Sequence, residues 1–231
     1  MFIKDSEKTT IKRAFVKSLP ILFSHVFVSM AYGMMMSNAG YGWGYALFTS
    51  LTVYTGAFQF VLITFLTGGA SLMTVAVTAF LMNSRQSFYS LSFIKAFKNM
   101  GRRKLYMIHT MTDETYAVNC SIPDSDKEKN GIMFYVALFS RCYWMIGTVL
   151  GAVIGQFIPF ELTGIDFCMT ALFAVIFTEQ WEKAENHFPA VLGIISGTIC
   201  LFIFGPSRFM LPSLIFTSGI LLFATKEEKN D

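Results

Sequence analysis

Charge is the scarcest feature of this chain. Only 14% of its 231 residues are charged, and from Ser18 to Ile94 the single formal charge is Arg85. A helix on the surface of a soluble domain needs a polar face, and this stretch cannot supply one, so the solvent that suits it is lipid. Disorder is excluded by the opposite excess, 54% hydrophobic residues with 25 phenylalanines. Cysteine is sparse as well. Cys120, Cys142, Cys168 and Cys200 show no C-x-x-C spacing, and His25, His109 and His187 are scattered. The cysteines read as small apolar residues, and neither metal site nor cofactor is expected. There is no G-x-S-x-G, no H-E-x-x-H and no phosphate-binding loop, so neither an enzyme nor an ATP-driven pump is expected. A net charge of +3 is too small to imply nucleic acid.

What is present is a series of apolar stretches. A basic arm, residues 1–17, carries Lys4, Lys8, Lys12, Arg13 and Lys17 and leads into a first span from Leu19 to Met36. That run exceeds the core of a signal peptide and is followed by more membrane-like sequence, so it reads as a retained span. Further stretches cover Tyr45–Leu66, Ser71–Ile94, Gly131–Ile158, Ile165–Phe177, Phe188–Phe204 and Phe209–Ala224, with a hydrophilic tail at 226–231. The expected fold is an all-α integral membrane protein of about seven transmembrane or re-entrant helical segments, some discontinuous, forming one polytopic domain.

The positive-inside rule constrains the path. Both the basic arm and the patch Lys95, Lys98, Arg102, Arg103, Lys104 should face the cytoplasm. Three complete spans between them would place them on opposite sides. One stretch therefore enters and leaves on the same face, or is a broken helix, unless one loop violates the rule. Tyr45–Leu66 is the candidate, because Tyr54-Thr55-Gly56-Ala57-Phe58-Gln59 places a helix-loosening glycine and an amide at its middle. Leu105–Ile122, with His109, Asp113, Glu114 and Asn119, reads as re-entrant, interfacial or a polar-lined helix.

Four constellations carry chemistry. Unwinding at Tyr54–Gln59 would free backbone groups for a zwitterionic solute, with Gln59 adding a neutral donor and acceptor; the plain alternative is helix packing. Asn83 and Arg85 need not share one site, since residues two apart diverge on a helix. Arg85 would bind a carboxylate of substrate or protein, an interior role favoured over snorkelling to the interface. Thr112-Asp113-Glu114 offers proton-coupling acids, partners for Arg85 or Arg141, or simply a helix start capped by Thr112. Arg141 lies within an apolar run and calls for a carboxylate or an aqueous cavity, whereas Gly147, Gly151 and Gly155 line one helix face for close packing.

Pro20 with Ala31-Tyr32-Gly33, then Val53–Phe60, Asn83–Tyr89, Thr112–Ala117 and Arg141–Gly147, stand in the order seen in the AzlC family, which the chain resembles over most of its length. Two departures are Gln86, where many relatives would carry His, and the weaker likeness beyond Gly155. The resemblance implies a permease of the bacterial cytoplasmic membrane. It would move valine, leucine, isoleucine and methionine, as an exporter, with a small multispanning AzlD-like partner and room for oligomers. It also implies substrate binding at Tyr54, Gly56, Ala57, Phe58, Gln59 and Asn83, and coupling or internal charge pairs at Arg85, Asp113, Glu114 and Arg141. A passive channel, or a non-transporting structural subunit, are the rival readings.

Overall fold

The structure is a computed structural model that describes residues 5–123, 125–157, 174, 177–178, 181–182, 184, 186–205 and 209–227. Among them the regular elements are helices and no strand occurs. In chain order they are α1 (Asp5–Asn38), α2 (Trp43–Thr52), α3 (Ala57–Gly68), α4 (Leu72–Ser92), α5 (Ile94–Lys98), α6 (Arg103–His109), α7 (Asp113–Cys120), α8 (Lys129–Phe157), α9 (Phe188–Phe204) and α10 (Met210–Glu227). Two of the described helices, Glu7–Asn38 and Lys129–Phe157, are long and apolar enough to cross a bilayer, and shorter apolar helices lie at Ala57–Gly68, Phe188–Phe204 and Pro212–Leu221. The chain packs as two compact units, Met1–Thr67 with Ser84–Cys168, and Gly68–Asn83 with Met169–Asp231.

The spine of the first unit is the pair α1 and α8, and the two helices run parallel. Their amino-terminal ends share partners: Arg13 pairs with Asp126 and, at 3.2 Å, with Glu128, and the Tyr135 hydroxyl donates to Glu7 at 2.7 Å. From Asp5 onward the basic arm forms the first turns of α1, because Lys, Arg and Glu are good helix formers and Asp126 and Glu128, just before α8, hold Arg13. Glycine sets the register. Each α8 glycine faces the α1 residue 121 positions earlier: Thr10 at Gly131, Val26 at Gly147, Met30 at Gly151 and Met34 at Gly155. A Cβ at Gly147 or Gly151 would run into the Val26 or Met30 backbone, and one at Gly33 into the backbone of Thr148 and Ala152. The packing role expected of the 147–151–155 face is thus what the helices use it for.

The stretch Tyr45–Leu66 is two half-helices around a break at Val53–Gly56. In one continuous helix Tyr41 and Leu66 would stand roughly 37 Å apart. Instead the Tyr41 hydroxyl reaches the Leu66 carbonyl at 3.5 Å, and Gln59 reaches back to Ser50 at 3.1 Å. So α2 and α3 fold back on themselves as a hairpin. Its tip is buried (Phe58, Gln59, Phe60, Val61) and the last residues of α3, Leu66–Gly68, are exposed.

The segment Leu105–Ile122 repeats the device from the other end. α6 starts beside the amino-terminal turns of α8, with the Arg103 guanidinium 4.4 Å from the Phe134 ring centroid and Tyr106 5.7 Å from the same ring. It stops at His109, deeper along α8. The chain turns through Thr110–Thr112, and α7 returns to the loop that carries Asp126. Tyr116 stacks on Tyr89 at 4.6 Å on the way back. Met107, Met111, Ile122, Ile132, Met133, Val136 and Phe97 close this end as one apolar core.

In the second unit α9 and α10 meet through hydroxyls, Ser196 with Ser213 at 3.4 Å and with Thr217. Large apolar side chains cover other positions of α9: Phe202 is 86% exposed and Ile203 68%, as lipid contact requires. The expected span Ile165–Phe177 falls almost wholly outside the described residues, as do Cys168 and residues 228–231. Cys120, Cys142 and Cys200 are free thiols.

Candidate functional site at two helix breaks

The tips of the two hairpins meet beside the middle of α8. Tyr54, at the tip of the first, is the one described non-glycine residue with positive φ, at 43°, and Gly56 follows at 48°. The left-handed backbone costs a tyrosine about 1–2 kcal/mol. It is held by burial, with the ring 2% exposed, and by its neighbours. Its hydroxyl lies 3.2 Å from Ser140 Oγ, the Arg141 guanidinium sits 5.5 Å from its ring centroid, and His109 from the second tip is 6.5 Å away, centroid to centroid.

Arg141 is partly buried; it donates to the Leu51 carbonyl and faces the rings of Tyr54 and Tyr106, each at 5.5 Å. Leu51 is in the last turn of α2, where the unpaired carbonyls give the helix its negative pole, so a cation is well placed there without any acid. Cation–π contact with two rings adds about 0.5–1 kcal/mol each.

Beyond the break, Gln59 is fully buried and donates from Nε2 to Ser50 Oγ, which lies 3.1 Å from Thr148 Oγ1. Nearby, the Tyr32 hydroxyl is 2.6 Å from Thr49 Oγ1. Three buried polar atoms around the tip have no hydrogen-bond partner among the described residues: Thr55 Oγ1, Gln59 Oε1 and Trp144 Nε1. Gly56 lies against the Trp144 indole, which is 3.8 Å from where a Cβ would sit. The backbone N–H groups of Gly56 and Ala57, at the positive end of α3, donate to no backbone carbonyl of the described residues. Unmatched polar atoms at such burial cost about 1–3 kcal/mol each, and three of those among the described residues gather at this one helix break.

Of the expected site residues, Tyr54, Gly56, Ala57, Phe58, Gln59 and Arg141 gather here. Asp113 and Glu114 occupy the first turn of α7, where Thr112 caps the helix and exchanges hydrogen bonds with Thr115. The capping reading therefore holds. Glu114 is exposed to solvent yet close enough to act electrostatically on both His25 and Tyr54. Asn83 is partly buried and belongs to the second unit. Arg85 lies on α4, and its side chain is outside the described residues.

Sequence reasoning gave no role to His25 or Ser140, and met Trp144 only within the Arg141–Gly147 motif. His25 is 4% exposed, its Nε2 lies 3.2 Å from Ser140 Oγ, and its ring meets Trp144 edge-on at 5.4 Å. The argument that singled out Arg85, an ionisable group at bilayer depth, applies equally to a histidine in the middle of the first span.

Residues 20–158 match the family model described as AzlC protein. An uncharacterized membrane protein of Helicobacter pylori (strain ATCC 700392 / 26695) is 38% identical over 94% of this chain and 95% of its own length. The branched-chain amino acid transport protein AzlC of Bacillus subtilis (strain 168) is 33% identical over 93% of this chain and 85% of its own. Inner membrane protein YgaZ of Escherichia coli (strain K12) is 27% identical over 78% of each. No solved structure matches the chain significantly.

Proposed function

Because this chain belongs to the AzlC family, we propose that it is the large subunit of a permease that carries branched-chain amino acids out across the bacterial cytoplasmic membrane. The observation that supports this best is the set of unmatched polar groups at the α2–α3 break, deep in a helical unit of otherwise apolar character. A branched-chain amino acid needs just such a mixture, a few polar groups in an apolar surround. Its carboxylate would lie at the amino-terminal end of α3, on the N–H groups of Gly56 and Ala57. Its ammonium would take the acceptors Gln59 Oε1 and Thr55 Oγ1, and its side chain the rings of Phe58 and Trp144. Asn83 and Arg85 are retained as proposed substrate and charge-pairing residues on α4.

The mechanism is alternating access, with the break open to one face at a time, in one polytopic domain of about seven segments assembled with a small AzlD-like partner. Asp113 and Glu114 stand at the tip that opens to the cytoplasm and serve coupling; Arg141 fixes the end of α2. No bond is made or broken in the solute. The test is efflux of labelled valine from proteoliposomes holding this chain with and without the partner. Saturable flux, competed by leucine and isoleucine, supports the carrier. Flux that rises linearly with concentration and ignores competitors means a channel, and a chain that assembles but carries nothing is a structural subunit.

A further inference from the structure

The proposed site gives no task to a buried histidine of α1. His25, buried at mid-helix in α1, is joined through Ser140 on α8 to Tyr54 at the break, by two contacts of 3.2 Å each. The ends of this chain differ in kind. One is a base of the type that takes up protons between about pH 5 and 8; the other is the residue whose left-handed backbone opens the hairpin tip.

Hydroxyls have one proton each, and that fixes what protonation does. While His25 Nε2 carries a lone pair, Ser140 donates to it and Tyr54 donates to Ser140. When Nε2 takes a proton from water, Nε2–H donates to Ser140 Oγ. Ser140 then turns its own proton to the Tyr54 oxygen, and the Tyr54 O–H is left to donate elsewhere. One proton enters, both links reverse direction, and no covalent bond other than the new N–H forms.

The geometry points to His25 as the proton-binding residue of the carrier, whose charge state is read at the α2–α3 break as an extra hydrogen-bond donor from Tyr54. This deepens the transport reading and rests on it. The released donor belongs to the residue two before Gly56, at the same helix break, and if the solute carboxylate takes it, proton and solute strengthen each other's binding, as linkage requires. The groups around His25 allow it. From α8 it faces Ser140 and Trp144, and from the break Tyr54 through Ser140. Arg141 and His109 bear on the Tyr54 ring. On α1 itself Tyr32 follows two turns on, bonded to Thr49 of α2, and α2 contributes no acid or basic side chain. Of the acids, Glu114 on α7, exposed to solvent, bears on His25 electrostatically.

Trp144 reports on His25 directly, since an imidazolium quenches a neighbouring indole more strongly than a neutral imidazole does. The experiment uses the full chain in proteoliposomes with Trp43→Phe and Trp181→Phe; the latter is needed because Trp181 stacks on His187 at 4.1 Å. Emission should fall in one step as pH is lowered and stay flat in His25→Gln. Valine affinity should tighten about tenfold from pH 8 to pH 5 in the parent, the worth of one added hydrogen bond, and lose that dependence in both His25→Gln and Ser140→Ala. Ser140→Ala should keep the quenching step, which separates proton binding from its transmission. Quenching that survives in His25→Gln, or pH-dependent affinity unchanged in both variants, overturns the inference. Normal quenching with no uptake of valine, leucine or isoleucine at any pH sinks the transport reading instead.

Discussion

Arg13 and Asp126 make the residue-scale bond whose dependence on pH is easiest to read. The guanidinium, hydrogen-bonded to the carboxylate, holds Asp126 below its ordinary value, helped by the Glu128 backbone N–H. A carboxylate whose folded value is depressed contributes stability above its unfolded value, about 3.9, and loses it as pH falls through the folded one. The melting temperature of the detergent-solubilised protein should therefore drop on acidification below about pH 4. In Asp126→Asn that part of the drop should be missing, while the neutral-pH value is lower from the start. Gly56→Val is a second prediction at this scale. A β-branched residue at φ 48° costs about 1–2 kcal/mol, and it stiffens the backbone whose N–H groups are proposed to face the solute. Expression should survive and valine flux should fall at least tenfold; unchanged flux would show that the break does not take part.

Elements are where the register and the hairpins belong. Inserting a side chain at Gly151 forces α1 and α8 apart along their whole contact, since the Cβ meets Met30 backbone. Gly151→Leu should destabilise by about 1–3 kcal/mol or more, seen as lost yield and a lower melting temperature. Gly193→Ala, with open space around it on α9, should be neutral or slightly stabilising. A cysteine pair at 41 and 66 should cross-link with a short bifunctional reagent if α2 and α3 fold back, and not if they run on as one span.

How far the sequence foretold these elements varies for physical reasons. Gly56 made the break legible, because glycine loosens a helix and Gln59 adds an amide one turn on, although helix packing would use the same residues. The basic patches at the two ends marked the need for a return. The glycine spacing of four showed a packing face but not its partner, since helical period says nothing of which neighbour is met. For Arg141 the sequence offers a carboxylate or an aqueous cavity, whereas the carbonyls at the end of α2 become available only once the helix has stopped. His25 stayed hidden because its partners, Ser140 and Trp144, lie more than a hundred residues away.

At the scale of the whole molecule the proposed carrier makes a topological prediction. The α2–α3 hairpin enters and leaves from the end of α1 marked by Asn38, and the α6–α7 hairpin from the end marked by Arg13. In the proposed path both basic patches then face the cytoplasm. Single cysteines at 40 and 99 should then react with an impermeant maleimide from opposite faces; reaction of both from one face would refute this path.

The 121-residue register has a mechanical meaning as well. Sliding α1 along α8 would carry the Val26 and Met30 carbonyls off Gly147 and Gly151, two places where backbone can approach so closely. The two longest helices consequently behave as a single keel, and in the proposed carrier the parts left to swing are the short paired arms hung from either end.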